Sequence, residues 1–324
     1  MDPRFTRDMP GALFLDPDAP DALRDHLRAI GWLGASEALT RVERAGEGNM
    51  NLVLRVWTDA RSFIVKQSRP WVERYPAIDA PADRALVEAR FYGLAAGAVA
   101  ARMPRLLAVD APSRMLLLED LGPAADLTDA YGGRPIAADE LDALIDWLGA
   151  LHGTPPPMDG SLDNRGMRAL NHLHMFDLPL RPDGGTDPER RGTWLRSDRA
   201  YVAVVRALGE RYLAGGPCLV HGDYYPGSWV RTARGVHVLD PEFAHAGDAE
   251  LDLGVMAAHL VFTGAGSPGA LLARYPRPAD ATLVRRYAGV ELMRRVLGVA
   301  RLPLRADEER LRSWLELSRS WVLG

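Results

Sequence analysis

His221-Gly222-Asp223-Tyr224-Tyr225-Pro226-Gly227-Ser228, with Val238-Leu239-Asp240-Pro241-Glu242-Phe243 a few residues on, is the stretch on which the fold turns. Cys218 to Val220 and Val236 to Leu239 read as short apolar strands, and each runs directly into acidic residues. Rigid elements therefore present Asp223, Asp240 and Glu242 at one edge. Gly-Asp and Asp-Pro are also ordinary turn chemistry, so either fragment alone is explained as a loop after a strand. The ordered pair asks for more, because a second feature lies upstream of it.

That feature is a lysine. Of the 39 basic side chains, 38 are arginine and one is Lys66, in Phe63-Ile64-Val65-Lys66-Gln67. Such a composition uses arginine wherever a generic surface cation serves, so the surviving lysine marks a place where a planar guanidinium does not fit. A strand lysine reaching nucleotide phosphates is one such place. Chance survival at the surface is the plain alternative. Taken with the acidic pair, Lys66 points to phosphoryl transfer, which needs one carboxylate to take the acceptor hydroxyl's proton and others to hold a metal ion on the phosphates. Mg²⁺ takes a few hard oxygen ligands beside phosphate oxygens, and Asp240 and Glu242 are of that kind.

Around these motifs the chain changes texture. A helix-like segment carries Leu23, Leu27 and Ile30 after Asp21. Arg41 to Ala45, Leu52 to Trp57 and Ser62 to Gln67 read as antiparallel strands, the first two joined by Gly46-Glu47-Gly48-Asn49-Met50-Asn51. Only four asparagines occur in the chain, and two are in that loop. Glycine lets a backbone approach a phosphate and asparagine offers an amide donor, although a plain hairpin turn favours the same residues. Residues 82 to 97 read as a helix whose Glu88 either pairs with Lys66 or sits on a solvated face. Strands at Arg105 to Val109 and Arg114 to Glu119 lead to Glu119-Asp120-Leu121, a hinge or simply a strand end. Beyond Gly122-Pro123 helices dominate, at Asp139 to His152 and near 198–214, 250–262, 279–298 and 306–321. Residues 181 to 193 read as an exposed loop, and 221 to 228 as the loop of a strand–loop–strand. The expected architecture is α+β, with a small antiparallel β-rich lobe over 1–119 and a larger, mainly helical lobe over 120–324.

Composition sets bounds on function. With 324 residues the chain has ample core for two unequal lobes. A net charge of -4, with 43 acids offsetting the arginines, gives no support for nucleic-acid binding. The lone Cys218 excludes an internal disulfide and suits a reducing compartment. Met1-Asp2-Pro3-Arg4 lacks the apolar run of a secretory signal, and no stretch is long enough to cross a bilayer, so a cytoplasmic location without membrane attachment is expected. The histidines at 172, 174, 237, 245 and 259 form no metal-ligand spacing, and Ser228 lacks the flanks of a hydrolase nucleophile.

Together these residues resemble the aminoglycoside phosphotransferase and choline kinase superfamily, which has a protein-kinase-like fold, and within it most nearly the 5-methylthioribose kinase branch. Glu47 to Val53 resembles the glycine-loop segment. Val65-Lys66-Gln67 with Pro70-Trp71-Val72 resembles the lysine strand and the loop after it. His221-Gly222-Asp223 with Gly227-Ser228 is similar to the catalytic loop, and Asp240-Pro241-Glu242-Phe243 to the metal motif. Arg294-Arg295 with Leu297-Gly298 is similar to the arginine pair which that branch directs at its sugar.

The resemblance implies a bilobal enzyme using ATP and Mg²⁺ on a small-molecule hydroxyl. Asp223 would be the base, Asp240 and Glu242 the metal ligands, and Lys66, Glu88, Gly48, Asn49, Asn51, Glu119 and Leu121 the nucleotide site. Asp223, Arg294 and Arg295 would meet the acceptor. Ser228 replaces the superfamily's metal-binding asparagine, as it does in the methylthioribose branch. Tyr224-Tyr225 replaces the usual leucine–histidine, which bears on the acceptor pocket, and the spacing from the metal motif to the arginine pair is short. Arg285-Arg286 repeats the arginine pairing, so a basic helix face also accounts for Arg294-Arg295. A methylthioribose-like sugar is the first expected acceptor. The rivals are an aminoglycoside or another amino- or polyol-metabolite, and a catalytically inactive nucleotide-binding protein. Homodimer formation is left open.

Overall fold

The computed structural model describes residues 2–46, 49–181, 186–187, 190–299 and 302–324, so the expected loop residue Gly48 lies outside the described residues. The chain divides into two compact units, Met1–Ala96 with Met103–Gly122 and Gly97–Arg102 with Pro123–Gly324.

In the first unit, α1 (Pro3–Asp8) and α2 (Pro20–Ala29) precede the strands β1 (Leu39–Arg44), β2 (Leu52–Thr58), β3 (Ser62–Gln67), β4 (Trp71–Val72) and β5 (Tyr75–Asp79). Helix α3 (Arg84–Val99) follows, then β6 (Leu106–Asp110) and β7 (Met115–Glu119). Five of these strands form an antiparallel sheet ordered β1-β2-β3-β7-β6, and β4 and β5 form a separate hairpin. Alternation along β2 turns Leu52, Leu54 and Val56 to one face. There they meet Phe63, Val65, Met115 and Leu117, and Leu15, Leu23, Leu27 and Leu33 from the N-terminal segment close the core. Ile30 falls just past α2 as its cap rather than on its apolar stripe. In β3 the opposite face is covered as well, so Lys66 is buried although polar, and Gln67, on the same face as Val65, is buried with its amide bonded to Leu13 and Leu15.

The second unit is mainly helical. Its elements are β8 (Ala125–Asp126), α4 (Ala138–Leu151), α5 (Arg165–His172), α6 (Thr193–Ser197), α7 (Arg199–Ala214), β9 (Cys218–Val220), β10 (Trp229–Thr232), β11 (Gly235–Val238), β12 (His245–Gly247), α8 (Ala249–Thr263), α9 (Pro268–Arg274), α10 (Ala281–Leu297) and α11 (Glu308–Leu323). Helices α8 and α10 are buried on nearly every side and pack along each other. They come close enough at Gly254 that a Cβ there would lie 2.5 Å from Tyr287 Cβ. Short strands frame the two acidic turns, with β11-β10-β8 as one small sheet and β12-β9 as another.

Two sequence expectations are corrected here. The stretch 181–193 is not wholly an exposed loop: Asp187 is buried, accepts from the backbone N–H groups of Arg191 and Gly192 and from Arg196 Nη1, and helix begins at Thr193. A carboxylate there supplies the acceptors that a polar, proline-rich sequence does not advertise. Strand β10 also has no counterpart among the expected strands. It is only four residues long, and its register with β11 and β8 is fixed by pairing and not by a hydrophobic run of its own.

Candidate functional site

In the first unit, β3 places Lys66 opposite Val53 of β2 and Leu116 of β7. Its ammonium is 2.7 Å from Glu88 Oε2 on α3, and Lys66 is 2% exposed. The pairing raised by the sequence is therefore made, and the solvated-face alternative for Glu88 is not. A buried ammonium requires such a partner, since leaving it unpaired costs several kcal/mol. Asn49 bonds through its carbonyl to Arg74 N and through Oδ1 to Arg74 Nη1, and Asn51 is buried with Oδ1 accepting from Arg84 Nε. At the end of β7, Glu119 pairs with Arg105, while Asp120 pairs with Arg55 at 3.0 Å. Arg55 also donates to the Gly122 carbonyl, so the residues after β7 are tied to β2, and Leu121 is half-buried among them.

In the second unit, β9 delivers His221-Gly222-Asp223. Gly222 has φ +85°, and a Cβ on it would lie 2.3 Å from the Phe243 carbonyl oxygen. Only glycine lets the turn carrying Asp223 rest on the turn carrying Asp240 and Glu242. Asp252 on α8 accepts from the backbone N–H groups of His221 and Gly222 at 2.7 and 2.9 Å and faces His152 Nε2 at 3.1 Å. Burial raises the Asp252 carboxyl, but its bonds with His152 and the turn outweigh this and hold it below the usual carboxylate range. Asn171 donates to the Gly222 carbonyl and accepts from Arg294. Asn164 donates to the Glu242 and Ala244 carbonyls, both at 2.9 Å. Ser228 closes the turn on itself, accepting from Tyr225 N and donating to the Asp223 and Tyr225 carbonyls.

Asp223 is 21% exposed at its side chain, and Oδ1 accepts from Arg294 Nη2 at 3.3 Å and from Arg295 Nη2 at 3.4 Å. Both contacts fall on Oδ1, so Oδ2 takes no part in this pairing. Both arginines are buried, which removes the basic-helix-face account, whereas Arg285 is exposed and Arg286 half-buried. Glu291, 0% exposed one turn earlier on α10, binds Arg295 Nε at 2.6 Å and Arg294 Nε at 3.3 Å. Burial raises the Glu291 carboxyl, and the two guanidiniums with His259 pull it well below the ordinary range. His259 is held neutral by burial, at about 4. Glu291 can only accept, so His259 Nε2 carries the hydrogen toward it at 3.1 Å, and Nδ1 accepts from the Tyr131 hydroxyl at 2.6 Å. Arg295 lies 4.6 Å from the centroid of the Tyr225 ring. Tyr224 is not a pocket residue: it is fully buried, stacked on Trp147, with its hydroxyl on the Leu144 carbonyl.

Asp240 stands in the left-handed region at φ +60° and opens the single turn Pro241–Phe243, in which Glu242 is buried. Two hard carboxylates on one turn fit Mg²⁺, which takes one or two protein carboxylates beside phosphate oxygens. Among the described residues no group of three His, Cys, Asp or Glu forms a closed metal cage, and a metal shared with a nucleotide needs none. Sequence reasoning missed Asp252, Glu291, His259, Asn164 and Asn171. The two asparagines carried a usable signal, because the scarcity that singles out Asn49 and Asn51 applies equally to them.

Residues 41–295 match the model of the phosphotransferase enzyme family, known as APH. The chain belongs to this family. It is an ATP-dependent phosphotransferase that acts on a hydroxyl group of a small molecule. Among similar proteins, the methylthioribose kinase of Pectobacterium atrosepticum is 27% identical over 300 residues, covering 85% of this chain and 72% of the relative. The methylthioribose kinase of Erwinia tasmaniensis is 25% identical over 333 residues, covering 91% and 77%. In fold, the structure of LicA in complex with AMP superposes with a TM-score of 0.59 at 14% identity, covering 93% of this chain and 98% of that one. A choline/ethanolamine kinase family protein from Mesorhizobium loti gives 0.55 at 18% identity, covering 94% and 99%. The α+β, protein-kinase-like fold expected from the sequence is the fold of this phosphotransferase. Among the described residues no helix is long and apolar enough to cross a membrane.

Proposed function

We propose that this phosphotransferase is a Mg²⁺-dependent sugar kinase that transfers the γ-phosphate of ATP to a hydroxyl of a methylthioribose-like acceptor. The observation that carries the proposal is the hold on Asp223: two buried arginines take Oδ1, and Oδ2 is left outside their grip. In this proposal Oδ2 accepts the acceptor's hydroxyl hydrogen while that oxygen attacks the γ-phosphorus in line. Lys66, oriented by Glu88, holds the nucleotide phosphates, with backbone of the loop near Asn49 beside it. The Glu119-Leu121 backbone meets the adenine edge. Asp240 and Glu242 hold Mg²⁺, which when bound neutralises phosphate charge and orients the triphosphate. Positioning and electrostatics then supply most of the catalysis.

The acceptor follows from charge. Arg294 and Arg295 stand beside Asp223, so a polycationic aminoglycoside meets guanidiniums where it needs carboxylates, while a neutral polyol accepts their hydrogen bonds. The relatives named methylthioribose kinase support the same choice. The test is a coupled ADP-release screen over sugars, amino alcohols and aminoglycosides, with Asp223→Asn as the blank. Turnover on 5-methylthioribose is expected, and Asp223→Asn is expected to remove it while nucleotide affinity stays within a few-fold. No ADP above background with 5-methylthioribose would withdraw that acceptor. An Asp223→Asn chain keeping most of the activity would remove Asp223 from the base role. Nucleotide binding with no turnover on any acceptor would return the inactive-binder alternative.

A further inference from the structure

Arg84 opens α3 and is 1% exposed. Its Nε donates to Asn51 Oδ1 at 2.9 Å. Nη1 donates to the carbonyls of Arg69 and Pro81 at 2.7 and 2.8 Å. Nη2 donates to the carbonyls of Met50 and Trp71 at 2.7 and 3.3 Å. A guanidinium offers five N–H donors in one plane. Here that fork joins three separate stretches of chain: the polar loop after β1, the segment following the lysine strand, and the turn entering α3. The polar loop is fastened on the same side by backbone bonds, Glu73 N to the Met50 carbonyl at 3.3 Å and Arg74 N to the Asn49 carbonyl at 3.0 Å. One helical turn after Arg84, Glu88 of the same helix meets Lys66.

Helix α3 thus grips the loop with its first residue and the phosphate-facing lysine with its fifth. Fixing backbone around a triphosphate costs conformational entropy, and anchoring Met50 and Asn51 beforehand removes part of that cost. The side chain of Asn51 is inside the unit and engaged by Arg84, although its residue type and place in the loop suggest a direct phosphate contact.

We infer that Arg84 is a positioning residue for the nucleotide, fixing the loop at Met50 and Asn51 against the segment after Lys66, and that Asn51 acts through Arg84 and not on the phosphates. This rests on the proposal that the first unit binds the nucleotide, and it goes beyond it in assigning the anchor. No lysine can replace the fork, because three donors on one atom cannot span acceptors on three stretches of chain.

The test is steady-state kinetics with calorimetric ATP binding on the full chain, using Arg84→Met, Arg84→Lys, Asn51→Ala, Asn51→Asp and the pair Arg84→Met/Asn51→Ala. Arg84→Met is expected to raise the ATP KM at least tenfold, with the acceptor KM and saturating kcat moved less than threefold, and Arg84→Lys should not rescue it. The pair should be no worse than Arg84→Met alone. Asn51→Asp separates a positioning role from a phosphate contact. A carboxylate there keeps and strengthens the bond from Arg84, so the ATP KM should rise by no more than about threefold. A carboxylate facing phosphates would weaken ATP by a hundredfold or more, and that result would overturn the inference. Full additivity of the Arg84 and Asn51 effects would overturn it as well. If Arg84→Met fails to fold, as circular dichroism would reveal, the Asn51→Asp and Asn51→Ala arms decide alone. A wild-type chain that binds no nucleotide overturns the proposed function and this inference together, whereas normal wild-type binding with a crippled Asn51→Asp overturns only the latter.

Discussion

Lys66 stands out in the sequence because every other basic side chain, 38 in number, is arginine, and burial explains the exception. A compact ammonium fits between β3 and α3 against Glu88, where a planar fork would need more room and more acceptors. Lys66→Arg keeps the charge yet is expected to lower kcat/KM for ATP at least a hundredfold, measured by coupled ADP release, and near-normal turnover would show that charge alone suffices there. Glu291 is invisible by the same reasoning, since glutamate is common in this chain and one more carries no compositional mark. Its role appears only when α8 and α10 bring His259, Arg294 and Arg295 around it. Removing one charge from a buried ion cluster costs about 3–5 kcal/mol, because the partners stay desolvated. Glu291→Gln should therefore lower the urea midpoint, and in the folded fraction it should cut kcat at least tenfold as the arginines lose their hold on Asp223. The ATP KM should stay within twofold, and a kcat per folded molecule equal to wild type would show that the arginines need no such brace.

Elements with strong periodicity are legible in the sequence and elements defined by pairing are not. Strands β2 and β3 and helices α4, α7, α8, α10 and α11 fall within a few residues of their expected places, since alternation marks the strands, a helical stripe marks α4, α7 and α11, and long runs of helix-favouring residues mark α8 and α10. The β4–β5 hairpin, β10 and β12 are two to five residues long and owe their conformation to a neighbour, so no local signal marks them. The candidate site follows the same divide. Asp223, Asp240 and Glu242 are legible because strand ends present them, while the Asp252 and Asn171 bonds that set the first turn and the Asn164 bonds that set the second come from residues distant in sequence. The contact between the two acidic turns also hangs on one glycine. Gly222→Ala forces a side chain into the left-handed region and against the Phe243 carbonyl. The expected cost is about 2–4 kcal/mol by urea unfolding, with turnover lost at least a hundredfold. A variant keeping wild-type turnover would mean that the two turns separate without consequence.

In the chain as a whole, His245, His259, Asp252 and Glu291 all lie buried in the larger unit, and the structure lowers the proton affinity of all four. Burial holds His245 and His259 at about 4, down from an ordinary 6.5, so both are neutral when folded at pH 7. Unfolding releases them to water, where they bind protons below pH 6.5. Their contribution is therefore complete above pH 6.5 and is lost as pH falls toward 4, at a limit of about 1.4 kcal/mol per pH unit for each ring. Glu291 and Asp252, held ionised by their partners, add to the loss at lower pH, because the unfolded chain protonates them first. Arginine keeps its proton throughout and offers no compensation. Thermal melts from pH 8 to pH 4.5 should then be level down to about pH 6.5 and fall steeply below it. Close to two protons should be taken up per molecule unfolded near pH 5. His245→Gln should remove about one of those protons, whether or not it lowers the midpoint at pH 8. A midpoint unchanged between pH 7 and pH 5 would mean that these rings are charged in the folded chain, and the neutral His259 that orders Tyr131 and Glu291 would have to be abandoned.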